Sequence, residues 1–394
     1  MQEIKEILQE LKTQQNYRQL PMLKHKGLWV KKGDCTLYNL SSNDYLNLSC
    51  NENIKAEFLK SEFFEKNCIF GSASSRSLSG NFEIYTIFED FLKGIYKKEA
   101  LLFNSGYHAN IGVISSLAEL KNTLFIADKS IHASHIDGLK SFKKVNLKRF
   151  LHNDLKNLES LLQKNHKNYE NIIILTESLY SMEGDFLPLR ELVAIKNQFK
   201  NVYLYVDEAH SVGSFGEKGF GLCYEKELLK SIDFLILTFG KALGSVGACV
   251  ICDEIYKEYF INKARSLIYS TALPPVNVAF SYFVFTQIQE LSKERENLKN
   301  LSVFLKNELK AIGDFEILGD YNILSLVLKE NQKALFFQKF LEKKGFFCPA
   351  IKSPTVAKNR TCLRFSLTSA MDKEMLKKLK KAILEAKNEA ISMF

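Results

Sequence analysis

Long apolar runs are missing from this 394-residue chain. No stretch approaches the roughly 20 uninterrupted apolar residues that a membrane span requires. The opening residues Met1-Gln-Glu-Ile-Lys-Glu lack the form of a secretory signal, so a cytoplasmic protein with no membrane contact is expected. Paired cysteine motifs are scarce. The eight cysteines (Cys35, Cys50, Cys68, Cys223, Cys249, Cys252, Cys348 and Cys362) are scattered, which favours reduced thiols over a disulfide framework. Cys249-Val-Ile-Cys252 has metal-like spacing, but it lies in a strand-like run where residues three apart face opposite sides, and no second pair completes four ligands. No metal is expected. Asp207-Glu-Ala-His210 spells a nucleotide-hydrolase signature, yet no Gly-x-x-x-x-Gly-Lys-Ser/Thr loop precedes it: Gly240-Lys241 lies downstream and is followed by Ala242. Internal repeats and low-complexity linkers are absent too.

What is present suits a large folded protein. Hydrophobic residues make up 46% of the chain and aromatics 12%, ample for burial, and the length implies two or three lobes. The net charge is +9, but the lysines are spread along helical stretches. The densest run, Asp372 to Lys381, places apolar residues at helical spacing between charges, as in a solvated surface helix. Nucleic acid is therefore not an expected partner, although the excess charge would help to attract an acidic one.

Ile4, Ile7, Leu8 and Leu11 mark one face of an amphipathic helix in an N-terminal arm over residues 1–40, with irregular chain around Pro21 and Gly27. From about residue 98 to 252, strand-like runs alternate with helical ones. This predicts an α/β large domain, residues 41–275, with a mostly parallel sheet covered by helices on both faces. After Pro274-Pro275 comes one long helix or two joined ones. A small α+β C-terminal domain then completes residues 276–394, with strands expected at 323–328, 346–351 and 362–367 and a terminal helix.

Two apolar runs end in charged tracts: Val202-Tyr-Leu-Tyr-Val-Asp207-Glu-Ala-His210 and Asp233-Phe-Leu-Ile-Leu-Thr238-Phe-Gly-Lys241. Read as buried parallel strands, they bring a carboxylate, an imidazole and an amine to the carboxyl edge of the sheet, where ligands bind. That trio suits pyridoxal phosphate, which needs a lysine for a Schiff base and a carboxylate to keep its pyridine nitrogen protonated. Asn104-Ser105-Gly106-Tyr107-His108 follows a strand and opens a helix; it is either an ordinary capped loop or a phosphate site. His132 and His135 lack a third metal ligand, which leaves a ring stacked on a flat cofactor or a structural histidine. Lys241 is either a lysine capping a strand or a desolvated amine, and the small residues around it favour the second.

Taken together, these segments resemble the α-oxoamine synthases, pyridoxal-phosphate enzymes of the fold-type I aminotransferase group. The similarity runs from Ser42-Asn43-Asp44-Tyr45-Leu46 through Gly71 to Gly80, Asn104 to Tyr107, His132-Ala-Ser, Glu177 to Asp185, Asp207 to His210 and Thr238 to Gly244. It ends with Tyr269-Ser-Thr271-Ala-Leu-Pro-Pro275, Pro354-Thr355-Val356 and Leu363-Arg364.

The resemblance implies that Lys241 carries the cofactor and shuttles a proton, Asp207 pairs with the pyridine nitrogen, His210 contacts the ring oxygen and His132 stacks on the ring. Ser105, Gly106, Tyr107 and Thr238 would hold the phosphate, with Thr271 reaching across from the partner of a homodimer, and Glu177 and Ser181 would line the site. Arg364, helped by Asn43, would clamp the amino-acid carboxylate. Arg18 and Thr355 would contact the acyl group.

Within the family the motifs are most similar to the member that condenses L-alanine with a pimeloyl thioester of coenzyme A or acyl carrier protein in biotin synthesis. Glycine C-acetyltransferase, 5-aminolevulinate synthase and serine palmitoyltransferase share the core, and a catalytically silent subunit of the same fold is the rival from another class. Asn47, Ala73-Ser74, Tyr85, Cys362 and Ala357 depart from the family pattern at positions that usually hold glycine, a glycine pair, histidine, arginine and proline.

Overall fold

The computed structural model describes residues 2–141 and 144–391; the tips of the expected arm and C-terminal domain, residues 1 and 392–394, lie outside the described residues. The chain divides into two compact units. The larger holds Asn51–Ser181 and Phe186–Arg295, and the smaller holds Met1–Cys50, Met182–Asp185 and Glu296–Phe394.

The smaller unit begins with the expected amphipathic helix, Gln2–Thr13, whose apolar side chains Ile4, Ile7 and Leu8 are exposed. An antiparallel meander follows: β1 (Lys24–Lys26), β2 (Trp29–Lys32) and β3 (Cys35–Asn39).

The larger unit is built on seven strands: β4 (Glu99–Phe103), β5 (Thr123–Asp128), β6 (Asn146–Phe150), β7 (Asn171–Glu177), β8 (Val202–Asp207), β9 (Phe234–Thr238) and β10 (Ala248–Cys252). Their spatial order is β4-β10-β9-β8-β7-β5-β6, and β10 alone runs antiparallel to its neighbours. β7 reads Asn-Ile-Ile-Ile-Leu-Thr-Glu, and all but its first residue are buried. Both faces of the strand must therefore be covered, as a parallel sheet between helices requires. The expected α/β architecture with a mostly parallel sheet is present.

Past Pro275 the chain forms two joined helices, Pro275–Gln287 and Ser292–Lys310, separated by a 3₁₀ turn at Ile288–Glu290. The smaller unit then adds β11 (Glu316–Leu318), β12 (Ile323–Lys329), β13 (Phe346–Phe347), β14 (Ala350–Ile351) and β15 (Thr361–Ser366). β11, β12, β15 and β14 form an antiparallel sheet. The run 346–351, expected as one strand, is two: β13 pairs with β3 while β14 pairs with β15. The break falls at Cys348-Pro349, where proline has no N–H to continue a ladder, so the chain changes sheets there. β13 also ties the N-terminal residues to the C-terminal stretch, so what reads as a separate arm shares a unit with it.

Two of the departures from the glycine pattern have a backbone meaning. Asn47 and Ala73 both adopt left-handed conformations, with φ of 58° and 51°. Asparagine tolerates this region, whereas alanine is strained there by roughly 1–2 kcal/mol. Ala73→Gly is expected to raise stability by about 0.5–1 kcal/mol, the strain relief being partly offset by the greater freedom of glycine in the unfolded chain. Urea denaturation checks this, and a midpoint below that of the parent would contradict the strain.

Candidate active site

Three parallel strands set the site. β7, β8 and β9 lie side by side and end on Glu177, Asp207 and Thr238; the register places Glu177 opposite Asp207. Neighbouring strands are roughly 4.8 Å apart, so their terminal side chains share one edge. A cavity of about 230 Å³ opens there, lined by Ser105, Gly106, Tyr107, His132, Glu177, Asp207, His210, Thr238 and Lys241. Nine of the residues read from the sequence are thus brought together within the larger unit.

Asp207 is only 4% exposed. Its Oδ2 accepts from Asn110 Nδ2 at 2.9 Å and its Oδ1 from the Ala209 N–H at 2.9 Å. Asn110 is held in turn by the Tyr205 hydroxyl, which donates to its Oδ1 at 2.6 Å, and by Ser134 Oγ at 2.9 Å. Among the described residues, the basic side chain within ion-pair distance of Asp207 is His135, with Nε2 at 3.7 Å. Burial drives the His135 pKa from 6.5 down to about 4, against the pull of Asp207, so this imidazole is neutral at neutral pH. Among the described residues no lysine or arginine lies within ion-pair distance of this carboxylate, which sits at the wall of the cavity that Lys241 also lines.

His132 caps the helix Ala133–Lys140. Its Nδ1 accepts from the Ser134 N–H at 3.2 Å, and its own N–H donates to Glu177 Oε1 at 2.6 Å. Burial lowers its pKa as well, with Asp207 opposing, which leaves a neutral flat ring in fixed orientation.

Across the cavity, Ser105 caps the 13-residue helix Gly106–Ala118, its Oγ accepting from the His108 N–H at 3.2 Å. The first N–H groups of a helix have no partner within it and attract anions. A Cβ on Gly106 would lie 2.6 Å from Thr238 Cγ2, so glycine is what lets this helix end approach β9. Lys241 is half-buried in the turn after β9, and its Nζ lies 2.9 Å from His210 Nε2.

Other residues read from the sequence lie elsewhere. Ser181 is buried and Thr271 exposed, and neither lines this cavity; the Thr271 carbonyl accepts from Asn104 Nδ2 at 2.7 Å. In the smaller unit, the Arg364 guanidinium lies 3.3–3.4 Å from Asn43 Oδ1 and 2.6 Å from Ser366 Oγ. There too, Arg18 Nη2 donates to Thr355 Oγ1 at 3.0 Å. Asn110 is a site residue that sequence reading passed over, Ser134 appeared there only within the His132-Ala-Ser motif, and His135, left open between a stacked ring and a structural histidine, is a buried neutral imidazole beside Asp207. The available signal was spacing: Asn110 falls four residues after Gly106, on the same helix face.

The profile of class I and II aminotransferases matches residues 36–383. A curated relative from Glaesserella parasuis serovar 5 is 45% identical over 375 residues, covering 95% of this chain and 98% of its own. One from Haemophilus influenzae is 44% identical, covering 94% and 97%. Both carry 8-amino-7-oxononanoate synthase as a provisional name. This chain belongs to the α-oxoamine synthases.

Among solved structures, a serine palmitoyltransferase from S. paucimobilis with bound PLP–myriocin aldimine superposes with a TM-score of 0.88 at 26% identity, covering 99% of this chain and 98% of that one. The 8-amino-7-oxononanoate synthase of Francisella tularensis gives 0.74 at 28%, covering 91% and 99%. This α-oxoamine synthase is a fold-type I transferase that depends on pyridoxal phosphate, and its residues fit the cofactor. The buried carboxylate of Asp207, with no lysine or arginine within ion-pair distance among the described residues, suits a protonated pyridine nitrogen, and the Gly106–Thr238 contact leaves a cradle that a Cβ would fill.

Gly106→Ala is expected to weaken cofactor binding at least about tenfold, since the new methyl intrudes on Thr238 at the helix end. Titration of the apoenzyme followed by absorbance measures it, and unchanged affinity would move the phosphate elsewhere. His135 sets an acid limb. Its folded pKa of about 4 lies below the 6.5 of the unfolded state, so the stability it contributes is complete above pH 6.5 and is lost as pH falls through 4. His135→Asn should flatten that limb in urea midpoints measured between pH 7 and 4; an identical pH slope in the variant would count against a buried neutral imidazole.

Proposed function

We propose that this enzyme condenses L-alanine with a pimeloyl thioester to give 8-amino-7-oxononanoate, carbon dioxide and the free thiol, a step of biotin synthesis. The cavity that holds Asp207 and Lys241 together carries this reading, and the 44–45% identity to relatives provisionally named for that reaction narrows it. Serine palmitoyltransferases give a higher TM-score, but that measures backbone shape shared across the group; sequence identity, which includes the pocket side chains, is 26% there.

Bound pyridoxal phosphate supplies the electron sink for a carbanion at the amino-acid Cα. Lys241 Nζ would hold the cofactor and, once freed, would take and return the Cα proton. His210 lies within hydrogen-bond reach of that amine, 2.9 Å away, and would help to hold the ring oxygen of the cofactor. Asp207 keeps the proton on the pyridine nitrogen, aligned by Asn110 and Ala209. His132, whose ring lines the cavity, would pack against the flat cofactor.

Ser105, Gly106, Tyr107 and Thr238 bind the phosphate, with Thr271 contributed by the partner of a homodimer. Glu177 Oε1 accepts from the His132 backbone N–H, and Ser181 would complete the site. Arg364 presents a planar pair of donors to the alanine carboxylate, with Asn43 fixing the guanidinium. Arg18 and Thr355 act on the acyl side. The thioester is delivered by coenzyme A or acyl carrier protein in the cytoplasm.

Alanine, glycine and serine, each offered with pimeloyl, acetyl, succinyl and palmitoyl thioesters, should give thiol release dominated by alanine with pimeloyl. A preference for any other pair would move the enzyme to another member of the group, and no visible absorbance after adding pyridoxal phosphate would leave a silent subunit. Lys241→Ala should lower kcat by about 10⁴-fold or more, and Arg364→Ala should raise the KM for alanine well before it changes the acyl KM.

A further inference from the structure

The outer face of the β1–β2 hairpin carries more positive charge than its packing explains. The register sets Lys24 directly opposite Lys31, and Lys26 opposite Trp29, on one face. Like charges in directly opposed positions destabilise a hairpin. Here Lys24, Lys26 and Lys31 are all exposed, and among the described residues none of them is ion-paired; the neighbouring Lys32 does have a partner, Glu342 at 2.9 Å.

The opposite face of the hairpin accounts for its folding. Val30 is 1% exposed and packs with Leu37 and Phe347. The lysine face contributes nothing to that core.

Trp29 joins two grooves. One is lined by Lys24, Lys26 and Lys31, the other by Lys344, Lys378 and Lys381 from the C-terminal stretch. Six lysines thus surround the indole against one carboxylate, Glu385, which Lys344 already engages at 2.6 Å. Trp29 itself is anchored edge-on to Tyr38 at 5.1 Å and remains 37% exposed.

We propose that this face docks an acidic protein, and specifically the acyl carrier protein that would present the thioester; the identity of the partner rests on the function proposed above. Charge complementarity selects an anionic partner. The absence of arginine from both grooves argues for carboxylates met by mobile point charges over phosphates gripped in bidentate fashion. Exposed lysines give fast, salt-sensitive and reversible association, which suits a carrier that must leave after each transfer. An exposed aromatic at the centre supplies the apolar anchor that such charge rings enclose.

Trp29 is the sole tryptophan of the chain, so its fluorescence reports this face directly. Titrating the holoenzyme with purified unacylated acyl carrier protein should change that emission saturably, with the Kd rising about fivefold or more between 50 and 300 mM salt. The triple variant Lys24→Glu, Lys26→Glu, Lys31→Glu should raise the KM for the carrier-bound pimeloyl thioester at least about tenfold. Its turnover of the coenzyme A thioester should stay within about twofold of the parent, which also shows that the variant is folded.

No emission change, an equal loss with both thioesters, or equal affinity for a short DNA duplex at 150 mM salt would each overturn the proposal. Carrier binding with no turnover of either thioester would leave the docking face standing and remove the proposed reaction. Turnover of the coenzyme A thioester without carrier binding would do the reverse.

Discussion

A carboxylate buried at the end of a strand is unfavourable unless a positive group meets it. Asp207 is such a carboxylate, and among the described residues no lysine or arginine lies within ion-pair distance of it. The imidazole beside it is kept neutral by the same burial, and the groups that do touch it, an amide and a backbone N–H, hold its orientation without cancelling its charge. The free energy of folding is thus invested in one negative point aimed into a cavity. The protonated ring nitrogen of the cofactor is what that point is built to receive.

The remaining parts of the site follow from where the chain can go after the strands end. Parallel neighbours in register deliver their last residues to one edge, so Glu177, Asp207 and Thr238 need no loop to bring them together. Loops then add what strands cannot. The tight turn after β9 returns Lys241 to the same cavity, and the glycine that opens the helix after β4 lets backbone donors come up against Thr238. Helix-end donors, a carboxylate and an amine are then set around one flat space, and each meets a different part of one molecule.

Legibility in the sequence tracked how local each cause was. β8 and β9 were readable because an unbroken apolar run needs only its own residues to declare a buried strand, and Asp207 at the end of the one and Lys241 just past the end of the other came with them. The division of 346–351 between two sheets was not, because it depends on which strands wait on either side of Pro349. The same holds for the N-terminal residues, which pair with chain more than 300 positions away through β3 and β13. Asn110 escaped, and the role of His135 stayed open, for another reason: an asparagine or histidine on a helix gains its role from what packs over it, here Tyr205 and Asp207. The left-handed Ala73 shows the converse, a residue whose oddity was visible in the sequence while its backbone meaning needed the fold.

The central claim is that the Asp207 carboxylate stabilises a positive charge on the ring of the bound cofactor. The ¹⁵N chemical shift of ring-labelled pyridoxal phosphate in the holoenzyme tests this most directly. A ring nitrogen that stays protonated from neutral pH to pH 9 is the predicted result; an unprotonated nitrogen at neutral pH would contradict the account.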